Sequence, residues 1–215
     1  RRVGPKGSGQ WERISWDDAL DEIARRIVDY KERFGAESIV MGYGTGRENE
    51  AVIYRFANLL GTPNVLTAGH FCYGPRIATS IITCGTNPIV DYENDPKCIM
   101  VWGNNLVISN PDCYKGEPFS VSLNAGAKLI AVDPRLTRIA ARADVWLQLR
   151  PGTDTALALG MLNVIVNEEL YDKEFVAKHV YGWEPFVKRV NEYPVEKVAE
   201  ITWVPQDKIK KAARL

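Results

Sequence analysis

Three groups of residues have the types and spacing to do chemistry. The first lies in Thr67–Arg76, TAGHFCYGPR, where Cys72 stands between Gly69 and Gly74-Pro75 with His70 and Arg76 close by. A nearby cation favours the thiolate, which is both a nucleophile and a soft-metal ligand. The ordinary alternative is a small buried hydrophobe. These residues alone are compatible with a nucleophile, a metal ligand or an inert thiol. The other cysteines are Cys84, Cys98 and Cys113, and the four follow one another at intervals of 12, 14 and 15 residues. With no C-x-x-C, the spacing argues against a structural zinc site or a cysteine-held iron–sulfur cluster within this sequence. Four cysteines in 215 residues are also too few for a disulfide scaffold.

The second group stands at two strand ends. Trp102-Gly103-Asn104-Asn105 follows the apolar run Cys98–Trp102, and Asp133-Pro134-Arg135 follows Lys128–Val132. Ligands of open α/β sheets bind beyond the carboxyl ends of the strands, where an acid bonds a ribose hydroxyl. Arg135 could add a phosphate contact. No G-x-G-x-x-G is present, which excludes an ordinary NAD fingerprint. Asn-Asn and Asp-Pro are also common turn formers, so plain turns explain these residues too. The third group is Arg150-Pro151-Gly152-Thr153-Asp154, ahead of a helical pattern. Thr153 or Asp154 would serve as its N-cap. Alternatively, the Asp154 carboxylate could accept side by side from the N1–H and the exocyclic amine of guanine.

The elements that must position these groups are legible in outline. Trp16, Leu20, Ile23, Ile27, Tyr30 and Phe34 predict an amphipathic helix. Ser15 and Asp18 form a capping-box pattern before it, and Gly35 closes it. A strand at Ser38–Tyr43, a turn at Gly44-Thr45-Gly46, a helix at Glu48–Leu60 and a short strand at Val65-Leu66 follow. After the Cys72 stretch come a helix at Ile77–Cys84 and a polar loop. Next are strands at Cys98–Trp102 and Lys128–Val132 around a helix at Pro118–Asn124, then a third strand at Val145–Leu149. From Asp154 onward the pattern is helical. Alternating strands and helices predict an α/β fold with parallel sheets covered on both faces.

The 27 basic and 27 acidic side chains cancel, which removes the general electrostatic case for nucleic acid or an anionic membrane. No apolar run reaches the roughly 18 residues of a membrane span. Ala156–Val166, the longest, is broken by Gly160 and Asn163. No apolar stretch follows Arg1-Arg2, so neither a signal peptide nor a twin-arginine signal is read there. The sequence stops at Lys210–Leu215, inside a helical pattern, and reads as a piece of a larger protein.

In their order and spacing, these motifs resemble the molybdenum/tungsten bis(molybdopterin guanine dinucleotide) oxidoreductases, the dimethyl sulfoxide reductase and formate dehydrogenase superfamily. The resemblance begins at Gly9–Leu20, GQWERISWDDAL, runs through the three groups above, and continues in Asn167–Phe175, NEELYDKEF. It implies a Rossmann-like α/β fragment of a catalytic subunit. Residues 1–66 would be the first part of one α/β domain, and residues 67–215 most of the next. It also implies a metal bound by four sulfurs of two pterin dithiolenes and one protein ligand, Cys72, with His70 and Arg76 as catalytic candidates beside it. One guanine dinucleotide would be held by Trp102, Gly103, Asn104, Asn105 and Leu106, by Asp133, Pro134, Arg135 and Thr137, and by Gly152, Thr153 and Asp154.

The family's [4Fe–4S] domain and second pterin-binding domain fall outside this sequence, so residues 1–215 alone are not expected to turn over. Tyr73, where formate dehydrogenases carry His, argues against that activity. Cysteine ligation argues against the serine- and aspartate-ligated reductases. Thiosulfate, polysulfide, arsenate and periplasmic nitrate reductase types remain, as does the tungsten acetylene hydratase, which is not a redox enzyme. The alternative is a cofactor-less relative such as the large iron–sulfur subunit of complex I. Implied partners are a small-molecule substrate and an iron–sulfur electron-transfer subunit, in the cytoplasm or the periplasm.

Overall fold

The computed structural model describes residues 1–44, 48–70, 72–109 and 116–215. Most of the turn read at Gly44-Thr45-Gly46 lies outside the described residues, as do Phe71 and Cys113. The chain forms two compact units, Arg1–Ile89 and Val90–Leu215.

The first unit opens with α1 (Trp16–Phe34). The Ser15 hydroxyl oxygen accepts from the Asp18 backbone N–H at 3.1 Å and donates to the Asp18 carboxylate at 2.6 Å. The shorter acid thus bonds the cap's side chain, where the usual Glu would reach its backbone. β1 (Met41–Tyr43), α2 (Glu50–Leu60) and β2 (Val65–Thr67) follow, and β1 pairs with β2 in parallel. β1 is shorter than the apolar run Ser38–Tyr43 because Ala36–Ser38 winds a 3₁₀ turn that bonds the Ile39 N–H. α3 (Tyr73–Cys84) starts four residues earlier than its apolar pattern, which begins at Ile77. Gly74 and Pro75 mask that start. Pro75 falls in the first turn, where a backbone N–H has no helical partner in any case. No residue of α1 is buried, and Trp16, Leu20, Ile23 and Phe34 are exposed.

The second unit runs β3 (Cys98–Trp102), α4 (Leu106–Ser109), α5 (Gly116–Asn124), β4 (Lys128–Val132), α6 (Arg138–Arg142) and β5 (Val145–Leu147). The helices α7 (Asp154–Asn167), α8 (Lys173–His179), α9 (Trp183–Asn191), α10 (Val195–Thr202) and α11 (Gln206–Arg214) complete it. Its three strands form one parallel sheet in the order β3-β4-β5, with Trp102 opposite Val132 and Val132 opposite Leu147.

Alternation along β4 explains why the sheet is covered twice. Ile130 and Val132, with Val145 and Leu147, pack against Leu157 and Met161 of α7, Val198 of α10 and Ile209 of α11. Leu129 and Ala131, with Ile99 and Val101, pack against Phe119 of α5 and Ile139 of α6. An all-apolar central strand is what a two-sided parallel sheet requires. The Asp144 carboxylate ties the start of β4 to the segment before β5. It accepts from the Leu129 N–H at 2.9 Å and from Lys128 Nζ at 3.0 Å. The Leu129 N–H, then the Lys128 ammonium, hold this carboxyl below its ordinary range.

α7 and α10 meet at Gly160, where an added Cβ would lie 2.7 Å from Val198 Cγ1. No helix among the described residues is long and apolar enough to cross a membrane.

Candidate cofactor site

Cys72 lies in the first unit, in the cap position ahead of α3, with its side chain exposed and free of any capping bond. The preceding turn closes tightly onto the helix, so a Cβ at Gly74 would sit 2.5 Å from the Gly69 carbonyl oxygen. A larger residue there would push the turn, and Cys72 with it, away from α3. The neighbouring polar groups hold the turn. His70 Nδ1 accepts from the Thr67 N–H at 3.2 Å. The Arg76 guanidinium lies 5.4 Å from the Tyr73 ring centroid and donates to the Pro88 carbonyl at 3.3 Å. The Tyr73 hydroxyl accepts from Asn87 Nδ2 at 3.3 Å.

Cys84 is exposed at the end of α3, while Cys98 is partly buried in β3. Burial, with the Asp144 carboxylate adding to it, pushes the Cys98 thiol up and favours its neutral form. Among the described residues no group of three or more His, Cys, Asp or Glu side chains is placed to hold a metal ion. A metal that brings its own sulfur ligands needs a single protein ligand, and Cys72 offers an accessible one.

The remaining candidates lie in the second unit, at the carboxyl end of its sheet. Parallel pairing of Trp102 with Val132 brings Gly103 and Asp133 side by side, and the Gly103 N–H bonds the Val132 carbonyl at 2.8 Å. Asp133 is buried, and its Oδ1 accepts from the Arg135 N–H at 2.8 Å. The Arg135 guanidinium is exposed, its Nε 3.9 Å from the same carboxylate. Thr137 caps α6 by accepting from the Ala140 N–H at 3.1 Å. Leu106 is buried in the core beneath α4, so it can serve this edge through its backbone alone.

Two supports escaped the sequence reading. Trp146 Nε1 donates to the Asp133 carbonyl at 2.9 Å, and Gln148 Nε2 donates to the Pro134 carbonyl at 3.1 Å. The signal available was the two-residue period of the run Val145–Leu149, which turns both side chains to one face.

The N-cap expectation at Thr153 and Asp154 holds for the position and fails for the bond. Thr153 occupies the cap position, but its hydroxyl donates to the Arg150 carbonyl at 2.6 Å and makes no capping bond. Asp154 is the first residue of α7, exposed, and its Oδ1 accepts from Trp102 Nε1 at 2.7 Å.

This edge offers a polar ligand acceptors, a cation and open backbone. Asn105 Oδ1 is buried without a hydrogen-bond partner, an acceptor that a ligand donor would satisfy. Gly103 has left-handed backbone, φ 57, with nothing within 4 Å of an added Cβ, so the backbone is open to close approach there. Asp133 and Asp154 supply acceptors and Arg135 a cation, matching ribose hydroxyls, base N–H groups and phosphate.

The chain was compared with known proteins. It is 44% identical over 216 residues to acetylene hydratase of Syntrophotalea acetylenica, covering 99% of this chain and 29% of that protein. It is 35% identical over 215 residues to formate dehydrogenase H of Escherichia coli, covering 96% of this chain and 30% of that protein. It is 31% identical over 216 residues to the thiosulfate reductase molybdopterin-containing subunit of Salmonella typhimurium, covering all of this chain and 28% of that protein. The solved structure of acetylene hydratase from Pelobacter acetylenicus superimposes with a TM-score of 0.74 at 41% identity, over 99% of this chain and 29% of that one. The chain therefore spans less than a third of the length of these relatives. With the model of the molybdopterin oxidoreductase family matching residues 1–211, the chain belongs to that family.

Proposed function

We propose that these residues are the central part of a catalytic subunit whose active centre is molybdenum or tungsten held by two molybdopterin guanine dinucleotides. The observation that carries the reading is the convergence of Asn105, Asp133, Arg135 and Asp154 on one sheet edge, in a chain that the family model matches along residues 1–211. Asp154 would read the guanine edge, Asp133 a ribose hydroxyl and Arg135 a phosphate. Asn105 Oδ1 would accept from the ligand. Cys72 would be the protein ligand to the metal, with His70 and Arg76 shaping the approach to it. When bound, the group supplies a two-electron redox centre or, in a hydratase, a Lewis acid.

In domain terms, residues 1–66 would be the first part of an α/β domain completed elsewhere in the full protein, and residues 67–215 most of a Rossmann-like nucleotide-binding domain. The exposed apolar side of α1 supports the first assignment, since a stripe of Trp16, Leu20, Ile23 and Phe34 calls for covering structure. A [4Fe–4S] domain, a small-molecule substrate and an iron–sulfur electron-transfer subunit belong to the same reading of the whole protein.

A second reading, a non-redox hydratase, is favoured by the 44% identity to acetylene hydratase against 35% and 31% to the dehydrogenase and the reductase. Metal analysis and pterin fluorescence of the full-length protein expressed anaerobically test the main reading. Molybdenum or tungsten with pterin is expected. Finding neither metal nor pterin would overturn it in favour of a cofactor-less electron-transfer relative. Acetylene consumption without any electron acceptor would select the hydratase.

A further inference from the structure

Trp102 and Asp154 are separated by 52 residues and joined by a 2.7 Å hydrogen bond from the indole N–H to one carboxylate oxygen. The two side chains differ in how firmly they are held. The Trp102 ring packs against the core formed by β4, β5, α7, α10 and α11. Asp154 is exposed, at the first position of a helix whose cap residue makes no side-chain bond. The first-turn N–H groups of such a helix are strong local donors with no helical partner. An aspartate here can swing back onto them, in the manner of a capping acid. It is instead turned to the sheet edge, where it accepts from the Trp102 indole.

Resting on the guanine reading of Asp154, we infer that Trp102 is a positioning residue that sets selectivity for guanine. Its core-anchored N–H holds the Asp154 carboxylate in the pose that reads the N1–H and 2-amine together. The indole occupies Oδ1 from one side. Oδ2 and the second lone pair of Oδ1 remain for the base. Guanine has two adjacent donors that reward this fixed pose, whereas hypoxanthine has one and gains less from it. Selectivity for the 2-amino group then depends on a tryptophan that need not touch the base through its N–H.

The experiment is calorimetric titration of the full-length apoprotein with GDP and with inosine diphosphate, which lacks the 2-amine, fitted with two independent nucleotide sites so that the site at Asp154 is read by itself. The ratio of the two affinities is compared among the wild type, Trp102→Phe, Asp154→Asn and the double variant. Because each ratio is taken within one preparation, a loss of folded fraction leaves it unchanged. Phe removes the donor and keeps an aromatic ring of smaller volume, and Trp102→Tyr provides a second variant without the indole N–H. Asp154→Asn is expected to collapse the preference for GDP. Trp102→Phe is expected to narrow it by roughly three- to tenfold, the effect of freeing one ordered side chain. The double variant should match Asp154→Asn alone, as for residues that act through one another.

An unchanged GDP preference in Trp102→Phe, with Asp154→Asn collapsed, would overturn the inference and leave the guanine reading standing. Losses that multiply in the double variant would also overturn it. An unchanged preference in Asp154→Asn would sink the guanine reading itself.

Discussion

Two roles compete for the carboxylate of Asp154, helix cap and base reader, and the bond it makes bears on the first. A capping acid bonds first-turn N–H groups, whereas Asp154 Oδ1 bonds the Trp102 indole across the sheet edge. Asp154→Asn keeps a side chain able to start the helix but turns one acceptor into a donor. The pterin dinucleotide content of the full-length protein is expected to fall, by an affinity loss of about 1.5–3 kcal/mol for a hydrogen bond to a charged group. Unchanged content would return Asp154 to a helix-start role.

The strand-end pairs Gly103 with Asn105 and Asp133 with Arg135 were readable in the sequence, because each follows directly on an apolar run. The Trp102–Asp154 bond was not, since no spacing rule connects side chains 52 residues apart. Thr153 holds the cap position that the sequence offered, but its backbone, φ −115 and ψ 16, is not the extended conformation of a capping residue, and its hydroxyl turns to the Arg150 carbonyl.

At the element scale, β3, β4 and the longer helices were legible because each carries an apolar run or stripe long enough to show its period. α4 and α6 were not, because four and five residues make little more than one turn, too short for a repeat. The start of α3 was hidden by Gly74-Pro75, which reads as a turn in sequence and as a first helical turn in structure. Two element contacts carry measurable consequences. Gly160→Ala would gain helix propensity in α7, yet its Cβ would press on Val198, whose branched side chain yields little. Overpacking should prevail, costing about 1–3 kcal/mol in chemical denaturation of this domain. A more stable variant would contradict the tight contact between α7 and α10.

Asp144 binds the Leu129 N–H and Lys128 in the fold, so its folded pKa lies below its unfolded one. Its contribution is present above the unfolded value, about 3.9, and is lost as pH falls through the depressed folded value. Asp144→Asn should therefore lower the melting temperature at pH 7, and the gap to wild type should shrink as pH falls below the unfolded value. A gap that stayed constant with pH would show that the charge is not what ties β4 to the start of β5.

For the whole molecule, the candidate nucleotide residues lie in the second unit and the exposed Cys72 stands at the head of α3 in the first. The chain spans 29% of the length of acetylene hydratase, so the complete centre belongs to the full-length protein. The fold class was legible from alternating strands and helices, and the family from the order of its motifs. Which activity the full protein carries was not, because the chain spans less than a third of the length of its relatives. The central claim is that Cys72 binds a metal already held by pterin sulfurs. X-ray absorption at the metal edge of the full-length protein tests it directly, comparing wild type with Cys72→Ala. The account predicts five sulfur scatterers in the wild type, four from the two dithiolenes and one from Cys72, and the loss of one in the variant together with activity. An unchanged sulfur count with full activity in Cys72→Ala would contradict it and leave Cys72 an ordinary exposed thiol.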